Sequence, residues 1–343
     1  MKKPLLPLAF VHGFKEKDPA VTILAGDVGG TKTNMALYRV SASGVTLLRE
    51  GRYASQEYTS LADIIINFTG KEWPDRICVA VAGPVTDGKV KLTNLSWQLD
   101  SQAMSTALKV PVAFINDLEA NGYGLAGLQS NELAAIHTSD TKAGGNIAII
   151  APGTGLGEAG LYFDGKKYHP FATEGGHCDF APRNEQDIAL LKFLLEKHGR
   201  VSWERILSGN GIYTLWEYLT EVENKPKPAW LLEEMETNDK PATVSKAAID
   251  KRCEVCMEAM DMFNRYLAIE GANIILKMKA TGGLYLAGGI AVKNISLLRP
   301  EVWTESFDNS GRMKALLAQV PVFVMKNEKA PLLGSAYFAA FNM

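Results

Sequence analysis

Residues 21–40 read VTILAGDVGGTKTNMALYRV. Two apolar runs, 21–26 and 34–40, flank a turn with adjacent glycines, the pattern of two strands joined by a tight connection. TLLREGRYA at 46–54 extends the same sheet. Farther out, residues 61–69 read as a helix, ICVAVAG at 77–83 as a buried strand, 101–109 as a helix and VAFI at 112–115 as a strand. That alternation predicts an α/β domain. From 146, NIAIIAPGTGLGEAGLYF repeats the opening layout of strand, Gly/Thr turn and strand, which suggests two related halves. Helical periodicity follows at 186–198, 211–222 and 244–277, then a strand at GLYLAGG, 283–289. The tail reads as a strand, VPVFVMKN, and a helix, LLGSAYFAAF, expected to fold back onto the first domain. Residues 224–243, with three prolines, read as the most loop-like stretch.

The length of 343 residues and a hydrophobic content of 47% suggest two domains and leave room for a cleft between them. The boundary is placed near 111–116. This gives an N-terminal extension at 1–20, a small α/β domain at 21–115 joined by the C-terminal helix 328–343, and a large α/β domain at 116–327. Thirty-six Lys and Arg against 38 Asp and Glu leave a net charge of -2, without the basic excess that nucleic acid binding needs. Cys78, Cys178, Cys253 and Cys256 are too scattered for a disulfide-stapled fold, so a reducing, cytoplasmic setting is expected. Cys253 and Cys256 form one CxxC pair, half of a usual zinc site, within the long helical pattern. Met1-Lys2-Lys3 and PLLPLAFV lack a cleavage site and run into Lys15, Glu16, Lys17 and Asp18, so an ordinary extension is expected. No apolar run approaches the roughly 18 residues of a membrane helix.

Several short motifs carry chemistry. In the first turn, Gly29 and Gly30 leave backbone N–H groups bare and Thr31, Lys32 and Thr33 add polar side chains, a cradle suited to phosphate. Asp27 could hold magnesium directly or through water. Taken alone, the motif equally serves as an ordinary tight turn. Gly153, Thr154 and Gly155 repeat the same hardware. A strand rather than a helix follows, so this is no dinucleotide fingerprint, and the Lys-Ser/Thr ending of the other phosphate loop is missing. Asn116-Asp117 closes the strand VAFI, where α/β sheets carry their sites, and also suits a helix N-cap. Glu174 and His177, on a glycine turn, and Glu204 offer a carboxylate, an imidazole and a second carboxylate for ring hydroxyls. His177 equally suits a bond to a carbonyl, and Glu204 a helix dipole. Gly288 and Gly289 end a strand, where they suit a flat base or a simple strand-to-helix connection.

In this order DVGGTKT, INDLEA, APGTGLG, EGGH and LAGG resemble the bacterial ATP-dependent glucokinase family, over roughly residues 22–340. VAGPV at 81–85 and LTNLSW at 92–97 resemble its sugar-side loop. The resemblance implies the two-domain ribonuclease H-like fold of the actin, hexokinase and heat-shock ATPase superfamily. It implies transfer of the γ-phosphoryl group of ATP, with Mg2+, to the 6-hydroxyl of glucose. Asp117 is then the catalytic base. Asn116, Asp117, Glu174, His177 and Glu204 are sugar ligands, and Gly288 and Gly289 form the adenosine turn. A homodimer is implied too. No CxCG-type run follows EGGH, unlike the related repressor and sugar-kinase family. Competing readings are a kinase of mannose or an N-acetylated amino sugar, a non-catalytic sugar-responsive regulator, and an ATPase without a sugar acceptor. Twenty residues before the first strand are too few for a DNA-binding domain, and Glu174 and His177 have no use in a bare ATPase.

Overall fold

The computed structural model describes residues 5–11, 19–42, 44–92, 95–139 and 144–343. Met1–Lys3, the Lys15–Asp18 charge run and Thr93-Asn94 of the LTNLSW loop lie outside the described residues. In chain order the elements are β1 (Val21–Val28), β2 (Lys32–Ser41), β3 (Gly44–Ala54), α1 (Leu61–Thr69), β4 (Arg76–Val81), β5 (Lys89–Lys91), β6 (Gln98–Asp100), α2 (Ser101–Leu108), β7 (Val112–Asn116) and α3 (Asp117–Leu125). There follow β8 (Leu133–His137), β9 (Ile147–Pro152), β10 (Leu156–Phe163), β11 (Tyr168–Thr173), α4 (Glu185–His198), α5 (Gly209–Glu221), α6 (Ala229–Thr237), α7 (Lys240–Ile249) and α8 (Glu254–Met278). The chain ends with β12 (Gly283–Leu286), α9 (Gly288–Lys293), α10 (Pro300–Asp308), α11 (Lys314–Leu317), β13 (Val322–Met325) and α12 (Ala330–Asn342). They form two compact units: the chain through Glu132 with Leu161–Ala172 and Lys329–Met343, and Leu133–Gly160 with Thr173–Glu328.

In the first unit a five-stranded sheet runs β3-β2-β1-β4-β7. β1 and β2 are antiparallel, with Asp27 opposite Asn34 and Val28 opposite Thr33, while β4 lies parallel to both β1 and β7. β1, β2 and β4 are apolar on both faces because both are covered, whereas the edge strand β3 is largely exposed. Leu24, Met35, Leu37 and Val79 pack with Ile64, Ile65 and Phe68 of α1 on one side. Ile23, Ala25, Ala36 and Tyr38 pack with Leu332, Ala336 and Ala339 of α12 on the other. The last helix thus folds back onto the first sheet, as its sequence was expected to do. Where the sequence reading puts residues 116–132 with the second domain, α3 belongs to the first unit. Gly124 and Gly334 account for this, since a Cβ on Gly124 would run into the Ala330 carbonyl and one on Gly334 into that of Ala120.

A six-stranded sheet runs β11-β10-β9-β12-β13-β8, of which the second unit holds β8, β9, β12, β13 and the first part of β10, with β9, β12 and β13 parallel and β8 antiparallel at the edge. The core of that unit joins Ile150 and Leu286 to Leu215, Trp216, Phe263, Leu267 and Ile274 of α5 and α8. Two expectations need correction. The single helix at 244–277 is two, broken at 250–253, where Lys251 takes a left-handed φ of 54°. Cys253 then caps α8, its sulfur accepting the Cys256 N–H at 3.4 Å, and both thiols are buried in the core. The stretch 224–243 is not loop throughout: α6 begins after Pro228, and Pro241 sits in the first turn of α7. Proline there starts helices rather than breaking them, because the first turn has no use for its missing N–H. Among the described residues no helix is long and apolar enough to cross a membrane.

Candidate active site

In the first unit the turn between β1 and β2 is closed by the Gly29 N–H on the Lys32 carbonyl at 2.9 Å. It is strapped from outside by Ser55, whose hydroxyl donates to the Gly29 carbonyl at 2.9 Å and whose N–H donates to Thr31 O at 3.0 Å. Gly30 and the exposed Thr31 and Lys32 stay at the surface of the turn. Thr33 does not: fully buried, it shares a hydrogen bond of 3.0 Å with Ser55. As a phosphate-facing hydroxyl Thr33 is therefore corrected; strand alternation turns it to the side of Met35 and Leu37. Asp27, half-buried at the end of β1, accepts from Asn34 Nδ2 at 3.3 Å, and burial pushes its carboxyl above the ordinary range despite that bond.

At the end of β7, Asn116 is the N-cap of α3. Its Oδ1 accepts from the N–H groups of Leu118 and Glu119 at 2.8 and 3.3 Å, while Nδ2 donates to the Gly83 carbonyl at 3.1 Å. That last bond ties the VAGPV loop to the strand end. Asp117 is the first residue of α3 and half-buried, and its Oδ1 accepts from the Leu118 N–H at 3.0 Å. A carboxylate at a helix N-terminus sits in a field that favours its ionised form, the form a proton acceptor needs.

The second unit gathers Glu174, His177 and Glu204. Gly175–His177 is a 3₁₀ turn following β11, rather than the flexible glycine turn expected, and Glu204 lies in the turn Trp203–Arg205. His177 Nε2 lies 3.9 Å from Glu174 Oε2 and its Nδ1 4.0 Å from Glu204 Oε1. These spacings exceed hydrogen-bond length, so the imidazole stands between two carboxylates with its ring nitrogens open to a third party. Glu204 also accepts from the Leu156 N–H at 3.1 Å, and a Cβ on Gly155 would run into its Oε2. The Gly153–Gly155 turn is thereby in direct contact with one of the three polar groups.

The same turn is closed by Gly153 N–H on Gly155 O at 2.8 Å, and Gly153 O accepts from the Gly209 N–H at 2.9 Å. Thr154 is exposed at its tip. The N-terminus of α5, capped by Ser208 at 3.1 Å from the Gly211 N–H, thus adjoins the turn. The sequence reading found this helix at 211–222 but not its contact with the turn, which joins residues far apart in the chain. Also missed was Arg200, which donates from Nη2 to the His177 carbonyl at 2.9 Å and from Nε to Asp179 at 2.7 Å. No local signal marks that contact. Gly288 takes a φ of 83°, the left-handed region that favours glycine, against the Pro152 carbonyl; Gly289 faces Glu328.

A family model described as Glucokinase matches residues 24–342. The glucokinase of Nostoc sp. (strain PCC 7120) is 38% identical over 337 residues, covering 93% of this chain and 98% of that protein. The glucokinase of Caulobacter vibrioides is 33% identical over 322 residues, covering 91% and 93%. Among solved structures, a glucokinase from an Antarctic psychrotroph aligns with TM-score 0.78 at 30% identity, over 93% of this chain and 98% of that one. At 22% identity, a Balamuthia mandrillaris glucokinase in complex with glucose shares the fold with TM-score 0.76, over 94% of each chain. The motifs, their placement on the two units and these matches over nearly the whole length agree: the chain belongs to the glucokinase family.

Proposed function

We propose that this protein is a cytoplasmic glucokinase, moving the γ-phosphoryl group of ATP to the 6-hydroxyl of glucose to give glucose 6-phosphate and ADP. The observation that carries the reading is the cluster of Glu174, His177 and Glu204 in contact with the Gly153–Gly155 turn, in a chain of this family. Two carboxylates and an imidazole supply acceptors and a donor for several ring hydroxyls. A wrong hydroxyl arrangement leaves one of them unpaired, which is how polar sites discriminate sugars. All four cysteines are free thiols, in keeping with the location.

Asp117 takes the proton of the acceptor hydroxyl as its oxygen bonds to the γ-phosphorus and the bond to the ADP oxygen breaks. Asn116 spends its amide holding α3 and the Gly83 loop, so its contribution to the sugar is through Nδ2 and through placing Asp117. Gly29, Gly30, Thr31, Lys32, Gly153, Thr154 and Gly155 are the phosphate-facing groups of this reading, and Gly288 with Gly289 the adenosine turn. The donor set fits magnesium: Asp27 offers a hard oxygen that accepts from Asn34 Nδ2, and burial raises the cost of its charge unless a cation lies beside it. Asp27 would hold the ion directly or through water; when bound, it neutralises charge on the phosphates. A homodimer is part of the same reading.

The test is sugar phosphate formation from magnesium-ATP with glucose, mannose, fructose and N-acetylglucosamine, beside Asp117→Ala. Glucose is expected to turn over fastest, and Asp117→Ala to lose about 10²- to 10⁴-fold in kcat with ATP binding kept. Preference for another hexose would change the substrate and leave the mechanism. No turnover with any sugar by folded, ATP-binding protein would sink the reading.

A further inference from the structure

Two acidic side chains behind the 174–177 turn have no part in the reaction above. Glu158 on β10 and Glu270 on α8 are 2% and 0% exposed, and the charge of Glu270 bears on Glu158. Glu270 is well supplied with donors: Asn273 Nδ2 lies 2.7 Å from Oε2 and Lys277 Nζ 3.2 Å from Oε1. Glu158 is not. Its Oε1 is buried with no partner, and its Oε2 is so close to Gly175 that a Cβ there would run into it. The Thr173 hydroxyl reinforces the contact, donating to the Glu158 carbonyl at 3.0 Å and accepting the Gly175 N–H at 3.2 Å. The contacts of Glu158 and Thr173 therefore end on the backbone that carries Glu174 and His177.

We propose that the Glu158–Glu270 pair positions the sugar-facing turn, Glu158 acting through Gly175 on Glu174 and His177; the assignment of that turn to sugar rests on the reading above. Two buried carboxyl groups whose charges bear on each other, with the Lys277 ammonium 3.2 Å from Glu270, cannot both ionise cheaply, so the pair holds one proton. Burial first, then the charge of Glu270, pushes Glu158 up to about 8, against the opposing Lys277. Other charged or titratable groups bearing on the pair are Arg183, through Glu270, and Cys178, through Lys277. When the pair's proton leaves, two like charges face each other beneath Gly175 and the turn loses its seat. Glu158 is a positioning residue in this scheme and touches neither substrate.

The wild type, Glu158→Gln and Glu270→Gln are compared from pH 6.5 to 9.5 for KM and kcat with glucose and for amide-exchange protection of residues 174–177. Thermal melting checks that each variant is folded. For the wild type, KM should rise about tenfold per pH unit above about 8, kcat should change far less, and protection should fall over the same range. Glu158→Gln, neutral at every pH, should flatten both profiles. Glu270→Gln removes the repelling charge and should move their midpoint by at least one pH unit. A Glu158→Gln profile that follows the wild type in both readouts overturns the proposal, as does a wild type without pH dependence in either. If glucose is not taken, yet turn protection depends on pH in the wild type and not in Glu158→Gln, the positioning role stands and the sugar reading falls.

Discussion

At the residue scale, Glu174, His177 and Glu204 are joined to the Gly153–Gly155 turn through Glu204, which accepts the Leu156 N–H and fills the space beside Gly155. Gly155→Ala puts a methyl where the Glu204 carboxylate lies. It should raise KM for glucose about tenfold, with the denaturation midpoint little changed because both groups are at the surface of the unit; steady-state kinetics beside urea unfolding checks this. Glu174 and His177 were legible in the sequence because a carboxylate and an imidazole three residues apart on a glycine turn have few structural uses. Thr33 was misread as a phosphate ligand although the signal was present: residues 33, 35 and 37 share one strand face, and Met35 and Leu37 are core. Ser55 and Arg200 were illegible, since their contacts with Gly29 and His177 span 26 and 23 residues.

At the element scale, the site rests on strand ends and helix starts. Asn116 both ends β7 and caps α3, so the two readings of Asn-Asp, catalytic and capping, are compatible: one residue caps and the next presents its carboxylate. The contact of α3 with α12 depends on two glycines. Gly334→Ala places a Cβ into the Ala120 carbonyl, and the backbone cannot yield as a long side chain would. A loss of about 1 to 3 kcal/mol is expected from overpacking, read from the urea midpoint. Because α3 carries Asp117, kcat should fall with it. Helix and strand positions were largely legible from periodicity. The break at 250–253 was not, because apolar spacing continues through it, and the prolines at 228 and 241 were read as loop markers when they stand at helix starts.

At the scale of the whole molecule, stability carries the sign of the buried acid pair. Glu158 has a folded-state value of about 8 against 4.5 ordinarily, so the folded protein holds a proton that the unfolded chain releases between those limits. Its contribution is fully present below about 4.5 and is lost as pH rises through 8. Between pH 5 and 9 the wild type should lose on the order of a few kcal/mol more than Glu158→Gln, measured as urea unfolding free energy at each pH. The main strands, the two glycine turns and the family resemblance were legible in the sequence alone, because they depend on local periodicity and short motifs, whereas β5, β6, β8 and β11 were not read. Tertiary structure alone decided that α3 and α12 complete the first unit, that Ser55 straps the β1–β2 turn while α5 adjoins the Gly153–Gly155 turn, and that Glu158 packs against Gly175. Each of those is a contact between residues far apart in the chain, fixed by which surfaces can be buried together and by where two glycines let backbones touch.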